Sequence, residues 1–231
     1  MLKPFKTYLK DFFNLFFPDL CVVCNEHLVN QEELICTKCL FKLPKTNFHL
    51  HKENPVSQIF WGRVPVEYAT GYFFFHKGST YQHMMHKYKY HGYKEIGYVL
   101  GKSFGSQIRE SHYNSIDVIV PVPLHKTKLK KRGYNQSEWF GMGLAEALEK
   151  PIDTKNFIRS IATETQTRKS RFERWKNVED IFTVVNPELL MGKHILLVDD
   201  VVTTGATLEA CAHKLLEIPE TKISIATLAV A

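Results

Sequence analysis

The chain has 231 residues, 44% of them hydrophobic and 23% charged, and a formal net charge of +6. These values are ordinary for a globular protein, and the length allows one sizeable α/β domain plus a small module. The basic balance favours anionic partners, such as phosphorylated substrates or nucleic acid, without choosing between them. No run of 18 apolar residues appears, so we expect a cytoplasmic protein without a membrane span.

Residues 2–17 combine a basic start with an aromatic-rich body, but Asp11 and Asn14 interrupt the apolar pattern and no small-residue cleavage site follows. We therefore predict an amphipathic helix rather than a signal peptide. Docking of its phenylalanine face on the rest of the protein is favoured over membrane binding.

Four of the five cysteines form two C-x2-C pairs, Cys21 with Cys24 and Cys36 with Cys39. Four thiolates in two such turns satisfy tetrahedral zinc, and a site closed by four cysteines leaves no open position for catalysis. A redox pair would need only one C-x2-C, so we predict a structural zinc site. The fifth cysteine, Cys211, is expected to be a small core residue.

Residues 45–65 have an irregular pattern in which prolines punctuate polar residues. We therefore predict an N-terminal helix and zinc-binding module at 1–44, a linker at 45–65 and an α/β domain at 66–231. Within that domain, 66–75 is typical of a strand, and 95–108 carries apolar residues at helical spacing.

Residues 80–91 fit a helix that carries His83, His86 and His91. A metal site is one interpretation, but the segment lacks a nearby carboxylate or cysteine partner. A solvated or substrate-facing helix is favoured instead.

Residues 116–122 predict a buried strand that runs into a strongly basic loop at 125–137. Cations at the end of a strand suit a pyrophosphate, and a solvated charge run is the alternative. The RGYNQS stretch that begins at Arg132 is harder to explain as solvated charge, because its glycine and its Asn-Gln pair make a turn rich in hydrogen-bond donors.

Residues 159–176 form a polar, arginine-rich excursion between two predicted strands, the first near Phe157 and the second near Phe182. Such a segment has no core of its own, and a ligand would be needed to order it. We predict that it acts as a lid over an active site.

The most informative stretch is residues 194–208, HILLVDDVVTTGATL. Its short aliphatic run at 195–198 is typical of a central parallel strand, and Asp199 and Asp200 follow at once. Ligands of open α/β sheets bind at the carboxyl ends of strands. A loop of small residues then precedes a helix, as in phosphate sites, and it consists of Thr203, Thr204, Gly205, Ala206 and Thr207.

Two hydroxyl-binding carboxylates beside a monophosphate site fit a sugar phosphate. The alternative is a strand of the Walker B type that ends in acids, which requires a P-loop elsewhere. The nearest candidate, residues 97–103, is one residue short of the P-loop spacing and lies in a helical pattern.

The VDDVVTTGAT segment resembles the 5-phosphoribosyl-1-pyrophosphate (PRPP) motif of type I phosphoribosyltransferases. The resemblance implies that Asp199 and Asp200 hold the ribose hydroxyls and that residues 203–207 wrap the 5-phosphate. Hypoxanthine-guanine phosphoribosyltransferases carry an acid at the position of Thr203, so neither a purine base nor a general base is implied here.

Four blocks in order, CVVC…CTKC, VPVPL…KKRGYNQS, TQTRKSR…RWKNV…IF and LLVDDVVTTGATL, resemble the ComF family of bacterial competence proteins. The resemblance implies an α/β protein with the type I phosphoribosyltransferase fold, a mostly parallel central sheet flanked by helices. It also implies a small N-terminal four-cysteine zinc-binding module.

This resemblance further implies that the protein binds PRPP together with Mg²⁺ and transfers phosphoribosyl to an unknown acceptor. Asp199, Asp200 and Arg168 are the expected catalytic residues, and Arg132 and Gln166 are expected to contact PRPP. Gln166 and Arg168 lie in a block that also resembles the flexible loop of glutamine amidophosphoribosyltransferase.

The alternative function is a non-catalytic, PRPP-sensing competence factor that binds single-stranded DNA. Its expected partners are DNA and a competence helicase or other uptake proteins. The cationic segments would follow the phosphate backbone while Tyr134 or Trp175 offers a stacking face.

Overall fold

A computed structural model describes residues 18–29, 32–159 and 181–231. The strands of these ranges are β1 (Ala69–Phe74), β2 (Val118–Pro121), β3 (Phe157–Arg159), β4 (Phe182–Val184), β5 (His194–Val202) and β6 (Lys222–Val230). Four of them form a parallel sheet in the order β1-β6-β5-β2, and β3 and β4 form a separate antiparallel pair.

The α-helices of the same ranges are α1 (Thr37–Phe41), α2 (Pro55–Gln58), α3 (Thr80–Tyr90), α4 (Glu95–Ile108), α5 (Lys126–Arg132), α6 (Gln136–Leu148) and α7 (Ala206–Leu216). None of the helices in the described part of the chain is both long and apolar enough to cross a bilayer.

Helices cover both faces of the sheet, and this arrangement explains the composition of its strands. One face packs against α4 and α6 through Phe104 and Phe140, and the other packs against α7 through Leu208 and Leu215. Strands of a parallel sheet covered on both faces are continuously hydrophobic. Accordingly β6 is buried at every position from 223 to 229.

The helices α4 and α6 touch backbone to backbone. A Cβ atom at Gly101 would lie 2.3 Å from the Phe140 carbonyl oxygen, and one at Gly143 would lie 2.1 Å from the Tyr98 carbonyl oxygen. Glycine is therefore required at both positions. The close approach fixes α6, whose first turn reaches the candidate site.

Residues 45–65, predicted as a linker, are tied to the sheet. Lys45 forms an antiparallel bridge with Phe73, and the Thr46 amide donates to the Tyr72 carbonyl at 3.0 Å. Asn54 caps α2, and Phe60 is fully buried in the core on the α7 side. These residues therefore support the sheet, while the exact domain boundaries stay a prediction.

The cysteine module shares a hydrophobic core with the sheet domain. Val22 and Ile35 belong to the same cluster of buried residues as Met84 and Met85 of α3. The Tyr81 hydroxyl of α3 donates to the Cys39 carbonyl at 2.9 Å. The module and α3 are therefore packed as one unit.

Two local predictions from the sequence differ from the structure. The basic loop at 125–137 contains the helix α5, which ends at Gly133 in the left-handed conformation with φ of 81°. The chain needs glycine there to leave the helix. Strand β5 also runs beyond the acidic pair to Val202, so Asp199 and Asp200 lie within the strand rather than after it.

Candidate functional site

The acidic pair is held by the first turn of α6. The Asp199 Oδ1 atom accepts from the Ser137 hydroxyl at 2.7 Å and from the Asp200 amide at 2.8 Å. Asn135 fixes Ser137 in turn, because its Oδ1 atom accepts from the Ser137 amide at 3.2 Å and its Nδ2 group donates to the Val122 carbonyl at 3.0 Å. The donor-rich turn predicted from the sequence therefore orients Asp199.

Burial is the main cause that raises the pKa of Asp199 to about 7, and the neighbouring Asp200 carboxylate raises it further. The Ser137 hydroxyl and the Lys89 ammonium oppose this shift. The carboxyl therefore changes its charge near neutral pH, because the charged form loses solvation and meets a like charge.

Lys89 of α3 supplies the opposing cation. Its Nζ atom lies 3.0 Å from Asp200 Oδ2, and both side chains are mostly buried, with 23% and 16% exposed. Sequence reasoning missed Lys89, because the helix carries several lysines and no local signal shows which of them faces β5.

Two tyrosines brace α3 against the start of α6. The fully buried Tyr88 donates its hydroxyl to the Gln136 carbonyl, and Tyr134 donates to the Tyr88 carbonyl. Burial and Asp200 raise the pKa of Tyr88 well above its usual value, so it remains a neutral donor. Tyr134 is itself buried, which contradicts its expected role as a stacking face for DNA.

Arg132 lies beside the same brace at the end of α5. Its guanidinium donates to Gln136 Oε1 at 2.7 Å and sits 5.4 Å from the centre of the Tyr90 ring. The structure thus brings Arg132 to the α3 side of the acidic pair.

The small-residue loop leads into α7 at Gly205, which adopts φ of 75°. No side chain caps this helix, and its first amides have no partner within a helix. Thr203, Thr204 and Thr207 are exposed there. An uncapped helix N-terminus with exposed hydroxyls can bind a phosphate through N–H and O–H donors.

Residues of the predicted linker contact this loop and limit its conformation. A Cβ atom at Gly205 would lie 2.4 Å from Ile59 Cγ2. The Arg63 guanidinium donates to the Thr204 carbonyl at 3.0 Å and pairs with Glu209 of α7. Sequence reasoning missed Arg63, because it is 141 residues away from Thr204 along the chain.

Two predicted site residues, Gln166 and Arg168, lie outside the described residues. The strands β3 and β4 flank this segment, with the Phe157 and Phe182 rings stacked 5.5 Å apart. The lid and the roles of both residues stay predictions.

The four cysteines of the N-terminal module converge. Their sulfur atoms all lie within 4.8 Å of one another, and the sulfurs of Cys24 and Cys36 are 3.7 Å apart. A tetrahedron with Zn–S bonds of about 2.3 Å has sulfur–sulfur edges of about 3.8 Å. Cys21, Cys24, Cys36 and Cys39 can therefore hold a metal ion such as zinc. Cys211 is buried in the core, as expected.

A cavity of about 670 Å³ adjoins the acidic pair and the small-residue loop. It includes Lys89 and Tyr90 of α3 and Thr203 of the loop. His83 and His86 also line it, consistent with a helix that faces a ligand.

Residues 136–230 match the family model described as the phosphoribosyl transferase domain. That segment contains Ser137, the acidic pair and the small-residue loop. Together with the parallel sheet covered by helices, the match identifies a type I phosphoribosyltransferase-like protein.

The chain is also similar to bacterial competence and DNA utilization proteins. Competence protein ComFC of Bacillus subtilis (strain 168) is 34% identical over 142 residues, which cover 60% of this chain and 56% of ComFC. DNA utilization protein YhgH of Escherichia coli (strain K12) is 29% identical over 209 residues, 85% of this chain and 84% of YhgH. The chain is thus similar to competence proteins of the ComF type, and it spans little more than half the length of ComFC.

Solved structures show weaker similarity. Glutamine PRPP amidotransferase from B. subtilis aligns with a TM-score of 0.44 and 20% identity over 62% of this chain and 30% of that chain. A hypoxanthine phosphoribosyltransferase from Staphylococcus aureus aligns with a TM-score of 0.38 and 16% identity. The alignment covers 59% of this chain and 64% of that chain.

Proposed function

We propose that this protein binds PRPP and transfers its phosphoribosyl group to an acceptor, with release of pyrophosphate. The observation that carries the proposal is the position of Asp199 and Asp200 on β5 beside the uncapped start of α7. Carboxylate oxygens that can accept from hydroxyls thus lie next to backbone amides that can donate to a phosphate, and this pairing suits a ribose 5-phosphate.

The chain's own residues would orient the sugar. Ionised Asp199 and Asp200 accept hydrogen bonds from the ribose 2- and 3-hydroxyls, and the amides and hydroxyls of residues 203–207 hold the 5-phosphate. As the bond from C1 to pyrophosphate breaks, positive charge develops on the ribose ring, and the nearby carboxylates stabilise it. The acceptor then forms its bond to C1.

Cations near the acidic pair would receive the pyrophosphate end. Arg132, which donates to Gln136 at the start of α6, is proposed to be one of these cations. Gln166 and Arg168 are proposed to close over the pyrophosphate as a lid. Mg²⁺ bound with PRPP would neutralise the pyrophosphate charge, its ligands being mainly substrate oxygens.

Titration calorimetry with Mg²⁺-PRPP tests the binding step. We expect Asp199→Asn combined with Asp200→Asn to abolish detectable binding. The control, Glu146→Gln combined with Glu149→Gln, removes the same charge from exposed ion pairs at the other end of α6 and should bind normally. Equal affinity in both double variants would contradict the proposal. Pyrophosphate release from PRPP in acceptor mixtures then tests transfer.

A second function, binding of single-stranded DNA during uptake in the cytoplasm, is supported by α5 and by the names of the relatives. The helix sequence KTKLKKR contains five cations and no acid, and its first six residues are exposed. Such a helix can follow a phosphate backbone in a salt-dependent way. A competence helicase or other uptake proteins would be its partners.

Fluorescence anisotropy with a labelled oligonucleotide tests the DNA function. We expect weak binding at low salt that is lost at moderate salt, and that is reduced by Lys128→Glu with Lys130→Glu. Saturating PRPP should compete if Arg132 serves both ligands. No binding even at low salt would contradict a DNA role and leave the transferase proposal intact.

A further inference from the structure

A cavity with a mixed polar and aromatic lining lies beside the acidic pair. It lies between α3 and the carboxyl ends of β1, β5 and β6, with Phe75, Val201 and Ala231 on the strand side. A volume of about 670 Å³ is within the usual range for small-molecule sites.

The polar groups that line the cavity are mostly hydrogen-bond donors or cations. They come from Lys77, Gln82, His83, His86 and Lys89, and none of its described lining residues is acidic. Lys77, His83 and His86 are exposed, so their polar groups are free to meet a ligand. A cavity with this lining favours an anion, because a carboxylate can accept from several of these groups at once.

Aromatic rings supply the rest of the lining. The Tyr90 ring is 53% exposed and has the Arg132 guanidinium at 5.4 Å. Phe75 adds a second ring on the strand side. Rings of this kind pack against a planar ligand, by stacking or edge to face.

Two residues connect the cavity to the sugar site. Lys89 lines the cavity and pairs with Asp200 at 3.0 Å, and Thr203 lines the cavity and begins the phosphate loop. A ligand in the cavity therefore lies next to the position of the ribose.

We propose that this cavity is the acceptor subsite and that the acceptor is a small nitrogen-containing aromatic acid, a planar ring that bears a carboxylate. The proposal rests on the proposed transferase function. The nitrogen lone pair of the acceptor forms the new bond to ribose C1. The electrons of the broken C1–O bond leave with pyrophosphate, and a proton on the attacking nitrogen, where there is one, passes to water.

Matched probe pairs test the charge of the acceptor. Nicotinate and nicotinamide share a ring, but nicotinate carries a carboxylate where nicotinamide carries an amide. Orotate and uracil likewise share a ring, and only orotate carries a carboxylate. Ligand-observed NMR should show each acid binding at least tenfold more tightly than its neutral partner, with and without ribose 5-phosphate. Equal binding within both pairs, or binding of the neutral compounds alone, would overturn the proposal in favour of an uncharged acceptor.

Two charge-reversal variants on one side of the fold locate the binding site. Lys77→Glu changes the cavity lining, whereas Lys87→Glu makes the same change on α3 outside the lining, where Lys87 lies 5.7 Å from the centre of the Tyr93 ring. We expect acid binding to fall at least tenfold in Lys77→Glu relative to Lys87→Glu, with similar Mg²⁺-PRPP affinity in both.

The acceptor proposal and the transferase proposal are contradicted by different results. If Mg²⁺-PRPP binds the wild-type protein and neither acid binds, the acceptor assignment is wrong and the transferase proposal stands. If Mg²⁺-PRPP does not bind, the transferase function itself is wrong, whatever the probes show.

Discussion

The Lys89 ammonium of α3 lies 3.0 Å from the Asp200 carboxylate of β5. Toward the other end of the same helix, Tyr81 donates to the Cys39 carbonyl of the cysteine module. From Thr80 to Tyr90 the helix has 11 residues, a length of about 16 Å at 1.5 Å per residue. One helix therefore connects the predicted zinc site to the predicted sugar site. Loss of the metal should for this reason disturb the position of Lys89.

We predict one zinc ion per chain, held by the four clustered thiolates. Cys36→Ser should remove the metal and raise hydrogen exchange across α3, because the cysteine module and that helix share a core. Exchange in β5, at the centre of the sheet, should change little. Metal analysis and exchange mass spectrometry measure both effects. Cys211→Ala, a buried cysteine outside the cluster, should keep its zinc; a metal-free wild-type protein under reducing conditions would refute the site.

We predict that Mg²⁺-PRPP affinity rises with pH through neutrality. Ionised Asp199 is the stronger acceptor for the ribose hydroxyls. Because its pKa is raised to about 7, this form is mostly lost well below pH 7 and predominates well above it. Ser137→Ala removes a hydrogen bond that lowers this pKa, so the midpoint of the pH profile should move upward. Calorimetry between pH 5.5 and 8.5, roughly 1.5 units either side of that value, covers the transition.

The control for this profile is Ser106→Ala. The Ser106 hydroxyl donates to the Lys102 carbonyl within α4, away from the acidic pair. Its midpoint should match that of the wild type. A flat profile in the wild type would show that Asp199 does not gate binding.

We predict that Gly205→Ala destabilises the fold and destroys the phosphate loop. The substitution puts a Cβ in the left-handed region, which costs about 1–2 kcal/mol, and places it 2.4 Å from Ile59 Cγ2. Gly192 also has a positive φ, 68°, but there is open space around the position of a new Cβ. Gly192→Ala therefore has only the backbone cost of the left-handed conformation and no steric clash. Urea unfolding should show Gly205→Ala less stable than Gly192→Ala by about 1–3 kcal/mol. Equal stability would mean that the loop has room to shift.

We predict that Arg63→Ala weakens the 5-phosphate contact. The guanidinium holds the Thr204 carbonyl and Glu209, so its loss should loosen the turn that presents the phosphate donors. Affinity for ribose 5-phosphate should fall roughly tenfold, equivalent to about 1.4 kcal/mol. Arg109→Ala breaks another exposed Arg–Glu pair, with Glu149, and should leave this affinity unaltered. A similar loss in both variants would assign the effect to net charge.

Local patterns in the sequence were sufficient for most elements and for the acidic pair. The aliphatic run before Asp199 predicted β5, and the Thr-Thr-Gly-Ala-Thr segment predicted the loop that begins α7, because hydrophobic spacing and backbone freedom are properties of neighbouring residues. The two C-x2-C pairs likewise predicted a four-thiol cluster, since each pair sets its own turn geometry. The RGYNQS stretch indicated a donor-rich turn, which the structure shows beside Asp199.

Only the tertiary structure decided which distant groups complete the site. Lys89 reaches Asp200 because Tyr88 and Tyr134 brace α3 against α6, and Arg63 reaches Thr204 because residues 45–65 fold onto the sheet. Neither contact has a periodicity or spacing that the sequence can display. The raised pKa of Asp199 has the same origin, since burial and the charges around it come from elements that are far apart in the chain.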